Sequence, residues 1–467
     1  MTEFVLAQVV VEWSGRTTVH PVGLAMLLIL GAFTLVLPRR WAVLPMILLS
    51  CMVPAGQRIA VGPADFDFIR ILVLFGWARL LIRGEYRGYK IIPLDIAVTL
   101  YAVVSTLFYT INYGSIESLI FKLGVSYDAI GLYFFFRCTI RTLEDATRIA
   151  TSFAIVSIPT AIAFAIEKQT GNNLFSVMGG VPDRTIVRHG RLRCQGAFSS
   201  SILAGCYWAS VLPLMASLWW RGGLQRVLGI IGIFCGLAVI GFCSSSTPVI
   251  ATAAVVFAGA MWFLRHYLRH MLIGLAVVLF CLHFAMNNPV WHLISRVDLI
   301  AGNTGYHRYR LIDSAINNFS EWALFGTQAT GHWGHQMFDI TNQYILEGVR
   351  AGFISLALFV TIIVICFIEL GRSVRATAWS GWRSALIWGL GATMFAHVTS
   401  FFGISYFGQI VMLWYLTLGM IGSTYLASRR EASARLRSMR TATDVRARAE
   451  HRERRNGPNP SPAHPRR

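Results

Sequence analysis

Apolar runs of about twenty residues recur along almost the whole chain, and no other feature constrains its fold as strongly. A helix of that length crosses a hydrocarbon core of roughly 30 Å. Helices are required there because a backbone in lipid must satisfy its own hydrogen bonds. The strand alternation and regular turns typical of a membrane β-barrel are absent from the sequence. We therefore predict an all-α, polytopic helical bundle in a membrane.

Composition agrees with a membrane protein and argues against nucleic acid as a partner. Hydrophobic residues make up 55% of the 467 residues and charged residues only 13%, whereas a soluble domain carries roughly 25% charged residues. The net charge of +19 would suggest nucleic-acid binding in a soluble protein. Here most basic residues lie in short loops between apolar runs. The eight cysteines are scattered singly, which favours buried thiols.

The apolar runs predict twelve or thirteen membrane helices. The candidate spans are 21–38, 41–57, 67–83, 95–112, 117–136, 146–166, 199–219, 225–242, 247–264, 270–286, 351–370, 384–402 and 405–426. Arginine-rich short loops alternate with loops that have no basic residue. The arginine-rich loops are 38–40, 83–90, 137–148, 221–226, 265–270 and 371–383. By the positive-inside rule these loops are cytoplasmic.

This alternation puts the N-terminus outside and the C-terminus in the cytoplasm. The N-terminus lacks a basic region and a cleavage site, so we expect it to be retained. Residues 1–427 form the transmembrane domain. The tail over 428–467 contains twelve arginines and no apolar periodicity, and we predict that it is disordered and touches anionic lipid headgroups.

Two long loops, 168–198 and 287–350, fall on the outer face and are nevertheless rich in arginine. The candidates among these arginines are Arg184, Arg188, Arg191 and Arg193 in the first loop and Arg308 and Arg310 in the second. An arginine fork binds phosphate or pyrophosphate through two hydrogen bonds. The alternative is that each side chain reaches a lipid phosphate. Leu311, Ala315 and Phe319 share one face at four-residue spacing, which predicts an amphipathic helix over 307–319.

The second loop continues into a glycine-rich stretch with His332, His335 and Asp339. These histidines suit a surface or acid–base role, and a third ligand at zinc-binding spacing is missing, so we predict no metal site. A helix is expected to start near Thr341 or Asn342.

Ionisable residues inside spans are functional candidates, and Arg70, Lys122 and Asp128 qualify. The Asp65-Phe-Asp67 tripeptide matches the D-x-D pattern of metal-dependent glycosyltransferases. The alternative, which we favour, pairs Asp67 with Arg70 three residues later.

Three ordered motifs on this face resemble the bacterial O-antigen ligase and polymerase superfamily over residues 93–425. Arg193-Cys-Gln-Gly196-Ala-Phe198 is similar to the family's R-x-x-G-x-F segment. The second motif is Arg308 with Leu311, Ala315 and Phe325-Gly326, and the third is Asn342-x-Tyr344 with Gly352. Thr341 stands where the family commonly has histidine, and threonine is not a general base near neutral pH.

The resemblance implies an inverting, metal-independent glycosyltransferase without a cofactor in a bacterial inner membrane. Its donor would be an undecaprenyl-pyrophosphate-linked oligosaccharide, and its partners would be membrane lipids, a flippase and a chain-length regulator. We expect an exopolysaccharide or O-antigen polymerase, with an O-antigen ligase as the alternative. A transporter of the same lipid-linked glycan is the alternative of another class.

The resemblance also implies roles for individual residues. Arg193 and Arg308 would clamp the pyrophosphate. The candidate bases are His332, His335, Asp339 and Glu347. The substrate-binding candidates are Arg184, Arg188, Arg191, Arg310, Asn342 and Tyr344.

Overall fold

The computed structural model describes residues 15–265, 267–286, 289, 291–292, 304–377 and 381–456. Over these residues the chain is an all-α membrane bundle with two short antiparallel hairpins, β1–β2 (Arg58–Val61, Ala64–Asp67) and β3–β4 (Ile186–Arg188, Arg191–Arg193). The expectations for the N-terminus concern residues 1–14, which lie outside the described residues.

A helix lies in every predicted span. In chain order these helices are α1 (Pro21–Val36), α2 (Leu44–Met52), α3 (Phe68–Ile82), α4 (Pro93–Tyr113), α5 (Ile116–Thr139), α6 (Leu143–Thr170), α7 (Ser201–Ser217), α8 (Gly223–Phe242), α9 (Ser246–Ala260) and α10 (Leu268–Ala285). The second long loop adds α11 (Thr304–Asn317) and α12 (Phe319–Trp322). The last three are α13 (Gln343–Ala376), α14 (Gly381–Ser400) and α15 (Gln409–Asn456).

Among the described residues, seven helices are long and apolar enough to cross a membrane, namely α4, α5, α6, α7, α8, α13 and α15. The α7 and α15 segments are the most enclosed, since 89% of each apolar window is buried. They therefore form the centre of the bundle, and the other helices surround them. Helices α1 and α9 are apolar but shorter.

Close packing between helices of the bundle depends on small residues. An added Cβ at Gly232 of α8 would lie 2.9 Å from the Ala154 Cα of α6, and one at Gly236 would lie 2.9 Å from the Leu212 side chain of α7. Small residues let membrane helices approach closely, which strengthens their packing where lipid offers no hydrophobic gain.

Helix α2 is too short to span by itself, because nine residues rise only about 13.5 Å. The chain before it and the chain after it nevertheless lie at opposite ends of the bundle. Arg39 hydrogen-bonds the Thr139 carbonyl oxygen and Asp145 near the start of α6, whereas the Ala55 N–H donates to the Ala197 carbonyl oxygen beyond the end of α6. The 41–57 segment thus crosses as a short helix followed by extended chain.

The arginine-rich loops meet at one end of the bundle, which we call the basic end. Arg221 forms two hydrogen bonds to Glu144, at 2.9 and 2.8 Å. Arg141 bonds the Glu85 carbonyl oxygen, and Arg79 pairs with Glu85 at 2.7 Å. These contacts agree with the prediction that the arginine-rich loops all lie on the same side of the membrane.

The two long loops lie at the opposite end, which we call the loop end. The Cys194 N–H donates to the Phe242 carbonyl oxygen at 3.1 Å, and the Gln343 N–H donates to the Phe401 carbonyl oxygen at 2.9 Å. Segments that are distant in sequence are thus tied together where the candidate site was expected.

The predicted disordered tail needs correction. Helix α15 continues without interruption past Ser428 to Asn456. Alanine and arginine are strong helix formers, and neither glycine nor proline occurs in this stretch. High charge therefore did not prevent helix formation here. Residues 457–467 lie outside the described residues.

Candidate functional site

The first long loop contains the hairpin β3–β4, which was not predicted. Its turn, His189-Gly190, has positive φ at both residues, 51° and 73°, as a two-residue hairpin turn requires. Arg188 lies opposite Arg191, and Ile186 lies opposite Arg193. Because side chains alternate along a strand, Arg188, Arg191 and Arg193 occupy the same face of the hairpin.

Burial increases along this arginine face from the tip to the base. Arg191 at the tip is exposed and Arg188 is half-buried, whereas Arg193 is only 5% exposed. Its Nε atom is buried and has no hydrogen-bond partner among the described residues. Burial, together with the nearby Arg188, lowers the pKa of Arg193. A buried guanidinium with unused donors is a receptor for an anion.

The backbone after Arg193 is fixed by a buried carboxylate. Glu167, near the end of α6, accepts hydrogen bonds from the N–H groups of Gln195 at 3.1 Å and Gly196 at 2.8 Å, and from the Thr185 hydroxyl at 3.0 Å. Asn173 donates to the Gly196 carbonyl oxygen at 2.8 Å. These bonds hold the turn that carries Arg193 against the membrane helices.

Arg308 reaches the same region from the second loop. It lies on α11, is 8% exposed, and its Nη2 atom donates to the Thr247 hydroxyl at 2.8 Å. Thr247 belongs to the first turn of α9, and the residue before that helix, Ser245, makes no side-chain capping bond. The first N–H groups of a helix attract anions when no cap satisfies them.

Arg193 and Arg308 therefore approach one short turn, residues 243–247, from two different loops. Arg193 is near enough to the Cys243 thiol to influence it electrostatically, and Arg308 bonds Thr247. We call Arg193, Arg308, Thr247 and the first turn of α9 the anion cradle.

The amphipathic helix predicted over 307–319 is present as α11. Leu311 and Ala315 are 0% and 3% exposed and pack with Trp322, Met337 and Val349 in a small core of their own. Phe319, the third predicted position, is 43% exposed because α11 ends at Asn317. This core holds the second loop against α13.

The two candidate histidines lie on the surface. His332 Nε2 bonds Glu321 at 2.8 Å, and Trp333 Nε1 donates to the same carboxylate at 2.9 Å. His335 and Asp339 are exposed. Within the described part of the chain, no hydrogen bond or ion pair joins either histidine to the cradle arginines Arg193 and Arg308.

The other loop candidates are spread between surface and core. Arg184 is exposed and Arg310 is half-buried, with its Nη2 atom beside Gly334. Asn342 caps α13, because its Oδ1 accepts from the N–H groups of Tyr344 and Ile345 at 3.0 and 3.2 Å. The predicted helix start near Thr341 or Asn342 is thus confirmed. The Tyr344 hydroxyl donates to the Val398 carbonyl oxygen at 3.1 Å.

Helix α13 is broken at Ala351 and Gly352, which have non-helical backbone angles. The Phe353 N–H donates to the Ala323 carbonyl oxygen at 2.9 Å, and a Cβ at Gly352 would meet the Leu324 carbonyl oxygen at 2.0 Å. The glycine of the third motif therefore lets the 323–327 segment of the loop cross the helix.

Glu347 is buried in a separate polar group. Its Oε2 accepts from the Tyr101 hydroxyl at 2.7 Å and its Oε1 from Gln343 Nε2 at 2.6 Å. Lys122 lies nearby, is 2% exposed and donates to the Ser105 hydroxyl at 2.7 Å.

Two of the charges predicted inside spans, Arg70 and Asp128, form an ion pair. Arg70 bonds both carboxylate oxygens of Asp128, at 2.9 and 2.7 Å. The Asp67 carboxylate caps the Arg70 N–H at 2.8 Å, and Asp65 pairs with Arg58 at 2.6 Å. Among the described residues, no group of three His, Cys, Asp or Glu side chains could hold a metal ion.

Sequence reasoning did not identify Thr247 or Glu167. The serine-rich stretch 243–247 carried a signal for Thr247, because a run of hydroxyl residues before an apolar helix is typical of a helix N-terminus. Glu167 gave a signal too, as an acidic residue at the edge of an apolar run.

No protein-family model matches the chain, and no curated protein sequence matches it either.

Proposed function

We propose that this protein is a membrane glycan transferase that joins polyprenyl-pyrophosphate-linked saccharides at the loop end, on the outer face of a bacterial inner membrane. The preferred activity is that of an exopolysaccharide or O-antigen polymerase. The observation that carries the proposal is the anion cradle, in which buried Arg193 and Arg308 flank an uncapped helix N-terminus.

The cradle suits a diphosphate better than a single lipid headgroup. Arginine forks and helix N–H groups both bind phosphate oxygens, and here they converge from two loops and one helix. The exposed Arg191 and the half-buried Arg188 extend the positive charge from the surface down to Arg193. A lipid-linked diphosphate would follow that gradient with its anionic group while its prenyl chain stays in the membrane.

The reaction is a single displacement. The oxygen of an acceptor hydroxyl forms a bond to the anomeric carbon of the donor sugar while the bond from that carbon to the pyrophosphate oxygen breaks. Polyprenyl pyrophosphate leaves as an anion, and the acceptor proton passes to a base. Arg193 and Arg308 stabilise the negative charge that grows on the leaving group. The configuration at the anomeric carbon is inverted.

Glu347 is the candidate base that the surroundings favour. Of the four candidates it is the buried one, whereas His332, His335 and Asp339 are exposed. It accepts hydrogen bonds from Tyr101 and Gln343, which orient the carboxylate. A positioned carboxylate can remove a proton as the hydroxyl attacks.

Two other functions stay open as proposals. An O-antigen ligase would use the same donor site with a different acceptor. A transporter of the lipid-linked glycan is favoured by one observation, the break in α13 at Ala351 and Gly352, because discontinuous helices are typical of transporters.

The test uses purified protein in nanodiscs with undecaprenyl-pyrophosphate-linked oligosaccharide. We expect a ladder of longer saccharides and released undecaprenyl pyrophosphate. Arg193→Lys and Arg308→Lys should each lower the rate by about 10²–10³, the effect of losing one donor to a developing anion, because lysine keeps the charge but not the fork.

Arg40→Lys is the matched control and should react at the wild-type rate, since Arg40 is exposed in a short loop at the basic end. Wild-type rates from Arg193→Lys and Arg308→Lys would overturn the cradle as the donor site. Movement of intact donor across a vesicle membrane without release of undecaprenyl pyrophosphate would favour the transporter.

A further inference from the structure

A second group of charged and aromatic side chains lies between α4, α5 and the first part of α13. We call it the lysine–tyrosine cluster, and its members are Lys122, Arg350, Glu347, Tyr109 and Tyr113. Lys122 is close enough to Glu347 and Arg350 to interact electrostatically with both, and Tyr109 is close to Arg350. The cluster shares no hydrogen bond with Arg193 or Arg308.

The cluster has more positive charge than its own acidic residue balances. The Lys122 ammonium has three donors, and among the described residues its one hydrogen bond is to Ser105. The half-buried Arg350 guanidinium has neither a hydrogen bond nor an ion pair within the described part of the chain. Within the same described residues, Glu347 accepts hydrogen bonds from two neutral donors, Tyr101 and Gln343.

Among the described residues, two cations on membrane-spanning helices therefore face one carboxylate. Unbalanced charge in a membrane helix is costly and marks a site where a ligand or ion is handled. A ligand with one negative charge would neutralise the excess positive charge of the cluster.

Aromatic faces line the same cluster. The Tyr109 and Tyr113 rings are stacked with their centroids 4.4 Å apart and an angle of 27° between them. The Lys122 Nζ atom lies 5.3 Å from the centre of the Tyr109 ring. Both tyrosines are half-buried, so part of each ring stays accessible. Apolar ring faces beside a few fixed polar groups are the usual lining of a site for an organic ligand.

A single loop separates this cluster from the anion cradle. Gln343 bonds Glu347 on one side and, through its Oε1, accepts from the Tyr406 N–H at 2.6 Å on the other. In the same loop, a Cβ at Gly403 would lie 2.8 Å from Thr247 and 3.0 Å from Arg308. A chain held at the lysine–tyrosine cluster would therefore lie one loop away from the cradle.

We propose that the lysine–tyrosine cluster binds a carboxylate-bearing sugar, such as a hexuronate, with Lys122 and Arg350 on the carboxylate and Tyr109 on the ring. Its assignment to the acceptor chain rests on the proposed function, whereas binding itself does not. A site for acidic sugars implies that the polymer is anionic.

The experiment measures binding by calorimetry in nanodiscs of neutral phosphatidylcholine. The probes are a hyaluronan hexasaccharide, which carries glucuronate, and chitohexaose, which is neutral. We expect hyaluronan to bind at least tenfold more tightly than chitohexaose. Arg350→Gln and Lys122→Met should remove that preference and leave chitohexaose binding unchanged, while Tyr109→Leu should weaken both probes.

Arg40→Gln is the charge-matched control and should bind like the wild type. Equal affinities for the two probes, or an unchanged preference in Arg350→Gln, would overturn the proposal. Loss of hyaluronan binding in phosphatidylglycerol nanodiscs would also overturn it, by assigning the cluster to lipid headgroups. Arg193→Lys should still bind hyaluronan more tightly than chitohexaose, even if it abolishes glycan transfer. Failure of the proposed transferase function can therefore be distinguished from failure of the proposed binding site.

Discussion

The Glu167 carboxylate holds the backbone of Gly196, whose N–H donates to its Oε2 atom at 2.8 Å. Glu167 ends a membrane helix, whereas Gly196 belongs to the turn that follows the arginine hairpin. The contact therefore transmits the position of α6 to Arg193, three residues before Gly196. Placement of the buried guanidinium therefore depends on this backbone bond.

Gly196→Ala should destabilise the protein more than Gly190→Ala does. Gly196 has φ +56°, and an added Cβ would lie 2.3 Å from the Phe164 ring. The left-handed backbone costs roughly 1–2 kcal/mol, and overpacking adds about 1–3 kcal/mol. Gly190 has φ +73° with nothing within 4 Å, so it isolates the backbone effect. Thermal unfolding in detergent measures both, and equal losses would contradict the packing argument.

Glu167→Gln should lower stability by about 1–3 kcal/mol, the cost of leaving a buried donor unsatisfied. A carboxylate can accept all three hydrogen bonds, whereas an amide presents an NH₂ group to at least one donor. Chemical unfolding of the variant is compared with that of Glu117→Gln, since Glu117 is exposed at the start of α5. If the two variants unfold alike, Glu167 does not hold the turn.

The helical pattern was predictable from the sequence because apolar length alone decides where a chain can cross lipid. A helix lies in every predicted span, and Leu311 and Ala315 are buried as their spacing indicated. The helical stretch after Ser428 was missed because a high content of charged residues predicts disorder. The alanine and arginine residues of the same stretch nevertheless have a strong intrinsic preference for the helix. The extended chain that follows α2 in the 41–57 span was not predictable, because its sequence has no periodic pattern of apolar residues.

Breaking the Arg70–Asp128 pair from either side should be strongly destabilising, by about 3–5 kcal/mol, because the other charge stays buried without a partner. The two side chains are 18% and 16% exposed, and they share two short hydrogen bonds. The double variant Arg70→Met/Asp128→Leu should recover much of the loss. A double-mutant cycle of unfolding in mixed micelles measures the coupling. Simple additivity of the two single losses would show that the pair does not act as a unit.

The order of the 319–337 segment should depend on pH. Hydrogen bonds from Trp333 and His332 hold the pKa of Glu321 below its ordinary value. A group with a lowered pKa stabilises the fold above its unfolded pKa, about 4.3 for glutamate, and loses that contribution as pH falls through its folded pKa. As the pH falls below about 4, hydrogen exchange in this segment of the wild-type protein should therefore become faster. The reference at each pH is the exchange rate of Glu321→Gln, which has no carboxylate to protonate. An identical response in the two proteins would contradict this.

The arginines of the site were predictable because they lie in loops that the positive-inside rule expects to have few basic residues. The contact between Arg308 and Thr247 was not predictable, since the two residues are far apart in sequence and meet only through packing of the second loop. The contacts of Arg221 were not predictable either, since the sequence shows only a short arginine-rich loop. The Arg221 guanidinium forms two hydrogen bonds to Glu144 and lies 4.2 Å from the Trp382 ring centre, and lysine cannot reproduce this fork.

The last prediction concerns which end of the bundle faces the cytoplasm, since each site assignment depends on it. The positive-inside rule puts the basic end inside, and the contacts put β3–β4 at the other end. In a Cys281→Ser background, which removes the exposed native thiol, Arg191→Cys should react with a membrane-impermeant maleimide in intact cells. Arg40→Cys should react only after permeabilisation. Arg40 and Arg191 are both exposed, but they lie at opposite ends of the bundle. A reporter fused after Arg467 should be active only inside, and one in 287–350 only outside. Labelling of Arg40→Cys in intact cells would contradict the predicted orientation, because it would put the basic end outside and the anion cradle in the cytoplasm. A lipid-linked donor on the outer face could not reach the cradle there.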